Sequence, residues 1–322
     1  MTSVVLGIGA SHSTLMNTNW DEVASQEGPQ CFRAALGEAA GLLADARPDA
    51  VVVIGSNHFR GFFLDLMPSL TIGVGECLAA GEAGTPSGPL PVATDLARHL
   101  LDSLVGDDID VAFSLRLTVD HGITHSLQYL TPRLDVPIVP VVMNMFAPPL
   151  PSLRRAHAMG AAIGRALAAF PGDKRVAVIA SGGLSHRLPW PKWFSALSDD
   201  DRFLVEAWLN GRDSWAQYDA RRREIIRASD AYINSDFDWE LLGMLETGDV
   251  SALLEVSATE LEQRAGNGAQ EIRSWLAMAG AIGAAGAFQG RTLAYAAIPE
   301  WLTGMGVLVA EPARQLTQEQ QE

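Results

Sequence analysis

The feature that most constrains the fold is a set of short segments that are apolar at nearly every position. They are residues 4–8, 50–54, 138–143 and 176–180. Strands of this kind are typical of sheets covered on both faces, because neither face then meets water. Segments with helical periodicity lie between them. The sequence therefore predicts an α/β fold with a layered, mostly parallel central sheet flanked by helices.

The rest of the chain shows neither a linker nor a repeat of fixed period. Residues 198–265 are mostly helical in pattern and charged, and residues 79–91 are rich in Gly and Pro. The polar tail at 311–322 is typical of a frayed terminus. We predict a single domain over residues 1–322, with a helical segment at about 198–265 and a surface loop at 79–91.

Charge and composition narrow the possible functions. The formal net charge of −15 repels phosphate backbones, so we expect no nucleic-acid partner. Cys31 and Cys77 are the only cysteines, which favours a reducing compartment. The first residues carry no basic signal-peptide region, and the longest helix-like apolar stretch, 275–288, is shorter than the roughly 18 to 20 residues of a membrane span. We expect a soluble, cytoplasmic protein with no membrane partner.

Three histidines follow predicted strands directly. His12 lies in GASHS, His58 in IGSNH and His186 in ASGGLSH. Open α/β sheets bind their ligands beyond the carboxyl ends of the strands, and Gly and Ser suit the tight turns found there. Any one of them taken alone is more simply a hydrogen-bonded loop histidine. The repeated placement instead predicts a shared site at the carboxyl ends of the strands.

Two more histidines and one acidic residue are candidates for the same site. His121 and His125 have the i, i+4 spacing that places two imidazoles on one helical face, but the HExxH pattern of zinc hydrolases is missing. Spacing does not identify the carboxylate among 38 acidic residues. Glu271 is one candidate, although a carboxylate at a helix start is also favoured by the helix dipole.

Four segments carry a resemblance to a known family. In chain order they are 58–63 (HFRGFF), 119–122 (VDHG), 181–186 (SGGLSH) and 271–275 (EIRSW). In these four segments, the chain resembles the class III extradiol ring-cleavage dioxygenases, the superfamily that includes the protocatechuate 4,5-dioxygenase β subunit. The resemblance extends from residues 11–13 to residues 298–301.

This resemblance implies a metal site and two acid–base residues. It makes His12 and His58 ligands of Fe(II), with Glu271 as the carboxylate ligand. Two histidines and one carboxylate on one face leave positions open for substrate and O2, which suits iron oxygenases. His121 and His186 match the two histidines that the family uses for proton transfer.

The resemblance also implies the substrates, which are O2 and a small aromatic diol of the 2,3-dihydroxyphenylpropionate type. Arg60 and Arg187 are near site histidines in the sequence, so either is a candidate for binding the propionate. Asn57 replaces the family's Asp beside His58, and His125 replaces its Gln. Both are therefore candidates for altering substrate preference. Members of the family are homo-oligomers, and we expect the same here.

Three alternatives stay open at this stage. The same chemistry could act on another ring, such as a hydroxypyridone, an aminophenol or a gallate. A zinc-dependent hydrolase could use the same histidine loops. A non-catalytic subunit is disfavoured because all five expected functional residues are present.

Overall fold

A single mixed sheet of nine strands organises residues 1–191 and 197–313, the part of the chain that this computed structural model describes. Its strand order is β4-β3-β6-β2-β7-β1-β9-β8, with β5 paired to β3. The strands are β1 (Ser3–Ala10), β2 (Ala50–Ser56), β3 (Leu70–Ala80), β4 (Ser87–Leu90), β5 (Ala112–Val119), β6 (Ile138–Met143), β7 (Arg175–Ser181), β8 (Phe288–Ile298) and β9 (Thr303–Pro312).

The central strands β6, β2, β7 and β1 run parallel to one another. They are the four apolar segments of the sequence, and every residue of β2 and β6 is buried. Antiparallel strands flank them, since β3 pairs with β6 and β9 pairs with β1. The predicted α/β class is confirmed, with the parallel strands at the centre of the sheet.

Helices cover both faces of the sheet. The described helices are α1 (Leu15–Thr18), α2 (Trp20–Val23), α3 (Glu27–Ala46), α4 (Thr94–Gly106), α5 (His121–Leu130), α6 (Leu153–Ala169), α7 (Asp199–Asn210), α8 (Ala216–Arg227), α9 (Ser235–Thr247), α10 (Ser251–Leu254), α11 (Ala258–Ala265) and α12 (Ile272–Gly283). On one face, α3 and α5 pack on Val51 and Val53. On the other, α4, α6 and α12 pack on Val52 and Ile54. Alternate residues of β2 thus contribute to two cores, as the two-residue period of a strand requires.

The boundaries of two predicted irregular segments were wrong. The Gly- and Pro-rich segment 79–91 contains the end of β3 and all of β4. Pro89 is tolerated there because β4 lies at the edge of the sheet. Strand β9 extends into the predicted tail, where Glu311 and Pro312 pair with β8. Residues 314–322 of that tail lie outside the described residues.

Within residues 1–191 and 197–313, the structure contains no helix that is both long enough and apolar enough to cross a membrane.

Close packing of α6 against α12 predicts a measurable effect on stability. A Cβ atom on Gly160 would lie 1.9 Å from the carbonyl oxygen of Ala277. We therefore expect Gly160→Ala to lower the free energy of unfolding by about 1–3 kcal/mol, because one helix must shift. Gly37→Ala, at an exposed position of α3 with no atom within 4 Å, is the control and should be stabilising by about 0.5–1 kcal/mol. Urea unfolding measures both, and equal stability of the two variants would contradict the packing.

Candidate active site

The carboxyl ends of β2, β7 and β1 are adjacent in the sheet and open into one cavity. His58 lies two residues after β2, His12 two residues after β1 and His186 five residues after β7. His121 begins α5, and Glu271 ends the 3-10 turn Asn267–Glu271 that precedes α12. The structure thus brings all five predicted metal-binding and acid–base side chains to the walls of a single cavity.

Glu271 lies between the two histidines proposed as ligands. Its Oε1 is 3.3 Å from His12 Nε2 and 3.6 Å from His58 Nε2. All three side chains are buried. His12 Nε2 has no hydrogen-bond partner among the described residues, although it is fully enclosed. Two imidazole nitrogens and a carboxylate oxygen facing one another are a donor set that suits a divalent transition metal.

Hydrogen bonds on the far side of each imidazole fix its orientation. His12 Nδ1 lies 3.0 Å from Ser181 Oγ. Asp120 accepts the backbone N–H of His58 at 2.6 Å, and its other oxygen lies 3.4 Å from His58 Nδ1. Both rings therefore direct Nε2 towards Glu271, as metal-binding histidines with supporting partners do. Neither Ser181 nor Asp120 was predicted to have a role, although both lie in segments that carry the family resemblance.

Glu271 is held by two donors. The hydroxyl of Ser56 donates to Oε1, and the backbone N–H of Gly183 donates to Oε2 at 2.8 Å. The adjacent Gly182 permits this approach, because a Cβ there would lie 2.8 Å from the Cβ of Glu271. The absence of a side chain at Gly182, the residue after β7, thus allows Glu271 at the start of α12 to face the histidines.

The electrostatics of these residues favour a bound cation. Burial opposes ionisation of Glu271, but attraction to His12, His58 and His186 lowers its pKa far below the usual value. Burial likewise opposes the charged form of His58, but the hydrogen bond and charge of Asp120, with Glu271, raise its pKa. The buried carboxylates of Glu271 and Asp120 thus favour a positive charge between the histidines, and a metal ion would supply that charge.

A second donor set overlaps the first. Nitrogen atoms of His12, His58 and His121 lie within 4.8 Å of one another, so three histidines could also hold a metal. His121 Nδ1, however, is bonded to Glu82, which also accepts the His121 backbone N–H at 3.0 Å. We favour Glu271 as the third ligand because its oxygen faces both imidazoles and its negative charge offsets that of a divalent metal.

His121 and His186 keep one ring nitrogen towards the cavity. The Leu184 carbonyl can only accept, so His186 Nδ1, 2.9 Å away, carries the proton and Nε2 has the free lone pair. The Glu82 carboxylate likewise accepts from His121 Nδ1, so Nδ1 carries the proton and Nε2 of His121 has the free lone pair. Burial lowers the pKa of both histidines, far below the usual value for His121. Both are therefore neutral near pH 7, with a basic nitrogen facing the cavity.

Two of the predicted substrate residues lie away from this cavity. Asn57 uses its amide locally, because Oδ1 accepts the Phe62 backbone N–H at 2.9 Å and Nδ2 donates to the Phe62 carbonyl. Arg187 is exposed, and its guanidinium stacks over Tyr232. Neither side chain lines the cavity, because proximity in sequence to a site histidine did not fix the direction of the side chain.

The other two predicted substrate residues lie close to the cavity without lining it. His125 is buried, with its ring centroid 6.0 Å from that of His12. Arg60 lies beyond His121, where its Nε is 2.6 Å from Glu82 Oε2. The arginine that does line the cavity is Arg222 of α8, which lies in a run of charged residues, 221–224, of a kind typical of a solvated helix face. The sequence does not show that Arg222 is buried, because the burial of this side chain depends on how α8 packs.

Apolar side chains complete the cavity wall. They are Leu15, Leu188, Trp190, Ile226, Trp301 and Leu302. Flat and branched apolar side chains around a few polar groups are typical of sites for small aromatic ligands.

Comparison with known proteins agrees with this arrangement. Residues 6–306 match the family described as "Catalytic LigB subunit of aromatic ring-opening dioxygenase". A 2,3-dihydroxyphenylpropionate/2,3-dihydroxicinnamic acid 1,2-dioxygenase of Burkholderia vietnamiensis is 40% identical over 274 residues, which are 82% of this chain and 84% of the relative. A protein of the same name from a Rhodococcus species is 35% identical over 311 residues, covering 93% and 96%.

The family match spans the cavity residues and most of the sheet. The family predicted from the four sequence segments is confirmed, and with it the assignment as a ring-cleaving dioxygenase. The chain belongs to the family of catalytic LigB subunits of aromatic ring-opening dioxygenases.

Proposed function

We propose that this enzyme cleaves the ring of a catechol beside its two hydroxyls, using O2 and one Fe(II) held by His12, His58 and Glu271. The observation that carries the proposal is the convergence of His12 Nε2, His58 Nε2 and Glu271 Oε1 in one cavity. The names of the relatives support an aromatic diol with a propionate side chain as substrate.

Bound iron would hold the diol and O2 side by side and allow electron density to pass between them. The chain itself supplies position and proton transfer. The three ligands take up only part of the cavity wall, and apolar side chains such as Trp190 and Leu188 line the space left to the substrate. These side chains also exclude water, which strengthens the polar contacts made inside.

His121 and His186 are the proposed proton carriers. Ring cleavage requires that a substrate hydroxyl lose a proton and that a proton be returned later to an oxygen. Each neutral histidine can accept a proton at Nε2, because Nδ1 already donates to Glu82 or to the Leu184 carbonyl. Such general acid–base groups contribute roughly 10²- to 10⁴-fold each.

Glu82 acts in this scheme as a positioning residue for His121. Glu82→Gln keeps the size of the side chain but removes the charge that stabilises a protonated His121. We expect kcat to fall by roughly 10-fold or more, with little change in KM or in iron content. Steady-state kinetics and metal analysis measure this. The matched control is Glu76→Gln on the exposed part of β3. A change confined to KM would contradict the role.

An oxygen-uptake experiment tests the proposed function as a whole. Protein loaded anaerobically with Fe(II) should consume O2 and form a yellow ring-opened product from 2,3-dihydroxyphenylpropionate. A panel containing a hydroxypyridone, an aminophenol and gallate tests the alternative rings. Activity with zinc in the absence of O2 would identify a hydrolase. No O2 uptake with any member of the panel would refute the proposal.

Two further properties belong to the same proposal. A cytoplasmic location is supported by the free cysteines Cys31 and Cys77. Assembly as a homo-oligomer is supported by Phe113 and Leu115, which are exposed on β5. Sedimentation analysis tests the assembly, and a monomer at micromolar concentration would contradict it.

A further inference from the structure

A second cavity of about 410 Å³ adjoins the metal-site cavity. Thr14, Leu15, Arg222 and Ile226 line both of them. A ligand whose ring lies against His12 and His58 could therefore extend a side chain past these four residues. The residues at this junction determine which side chains are accepted.

The second cavity is cationic, although the chain as a whole has a net charge of −15. Within the part of the chain that the structure describes, four arginines and two carboxylates line it: Arg60, Arg222, Arg223, Arg227, Glu82 and Asp219. Both carboxylates are engaged, Glu82 by His121 and Arg60, and Asp219 by Arg222 and Arg223. The local excess of positive charge favours an anionic group.

Arg222 is the member of this set that reaches the metal-site cavity. The residue is only 7% exposed. One terminal nitrogen lies 3.3 Å from Asp219 Oδ1, but its buried Nε has no hydrogen-bond partner among the described residues. A charged N–H buried without an acceptor is costly, so the Arg222 guanidinium is not saturated by its partners and keeps donor capacity for an anion at the cavity wall.

Arg60 is already committed elsewhere. Its Nε lies 2.6 Å from Glu82, and its guanidinium stacks 3.5 Å above the ring of Trp215. It lines only the second cavity. Burial lowers the pKa of Arg60 to about 10, which still leaves it charged near pH 7. Arg60 therefore supports Glu82, and through it His121, instead of offering a free donor.

We propose that Arg222 binds the carboxylate of the substrate's side chain and so makes the enzyme selective for aromatic diols with an anionic substituent. This inference rests on the proposed function. Arg222 is a specificity-determining residue here, since it lies at the junction through which the substituent must extend.

The first test compares two substrates that differ in charge. With Arg222→Met, we expect KM for 2,3-dihydroxyphenylpropionate to rise about 30-fold or more, as loss of one partner of a buried charge pair predicts. KM for the uncharged 3-ethylcatechol should change less than about threefold. Arg222→Lys, which keeps the charge but not the planar fork, should lie between. Asp219 keeps its ion pair with Arg223 in these variants, so the protein should still fold.

The matched control is Arg221→Met, the neighbouring residue on the exposed side of α8. It removes the same charge without touching either cavity, and its kinetics should equal those of the unaltered protein. Equal losses on the charged and uncharged substrates, or no loss in Arg222→Met, would overturn the assignment.

A second test separates this inference from the proposed function, because it needs neither iron nor turnover. Metal-free protein should bind 3-phenylpropionate, measured by titration calorimetry, and Arg222→Met should weaken that binding about 30-fold or more. Binding that depends on Arg222 without any ring cleavage would leave the anion site standing and refute the function. Ring cleavage with no binding of 3-phenylpropionate, or with binding indifferent to Arg222, would refute the anion site.

Discussion

We expect the Glu271→Ala variant to lose its bound metal. The side chain supplies the only proposed ligand with a negative charge, and its Oε1 faces both His12 and His58. Altering a residue that merely supports a ligand lowers metal affinity by 10- to 100-fold, so loss of a ligand should exceed about 100-fold. Iron content after anaerobic loading and gel filtration measures the effect, and ring cleavage should disappear with the iron.

Two further variants make this result specific. Glu271→Gln keeps the shape, and its single amide oxygen can accept from the Gly183 N–H while its NH2 group donates to the Ser56 hydroxyl, so it should retain the fold but bind iron weakly. Glu260→Ala removes an exposed carboxylate from α11 and should bind iron normally. A normal iron content in Glu271→Ala would remove this residue from the ligand set.

The second large effect separates catalysis from metal binding. His121→Phe and His186→Phe should each lower kcat by about 10²- to 10⁴-fold while iron content stays unchanged. The cause is the loss of a proton carrier, because Phe fills the space of the ring but has no nitrogen. Single-turnover kinetics on iron-loaded protein and metal analysis of the same sample measure both quantities together.

His121→Phe also decides between the two donor sets. If His12, His58 and His121 held the metal, this variant would lose its iron as Glu271→Ala is expected to do. His99→Phe is the control, since this half-buried histidine lies on α4 and contacts the Ala166 carbonyl, away from the cavity. Full turnover in either cavity variant would remove that histidine from the mechanism.

Sequence patterns predicted the centre of the fold well and its periphery less well. The four parallel strands were evident because a strand buried on both faces is apolar throughout, as β2 is. β5 and β8 have mostly exposed or half-buried residues, so they lack that signature. β4 contains Gly88 and Pro89, which indicate a loop unless pairing with β3 is known. Tertiary context thus determined the edges of the sheet.

The site residues, too, were predictable where the local sequence positions them and not where tertiary packing does. Histidines placed after strands identified the end of the sheet at which the cavity lies, because the local chain positions His12 and His58 there. Glu271 is 213 residues beyond His58 and reaches the site through the packing of α12, so only the family resemblance distinguished it from the other acidic residues. Arg222 had no local signal at all, because its run of charges on α8 looks the same whether solvated or buried.

The central claim is that His12, His58 and Glu271 together hold one metal ion. A crystal structure of the Fe(II)-loaded protein, with iron located by anomalous scattering, tests it most directly. We predict iron bound to Nε2 of both histidines and to the Glu271 carboxylate, with His121 and His186 facing the ion but not bound to it. Iron ligated by His121 in place of Glu271, or located elsewhere in the molecule, would contradict the account.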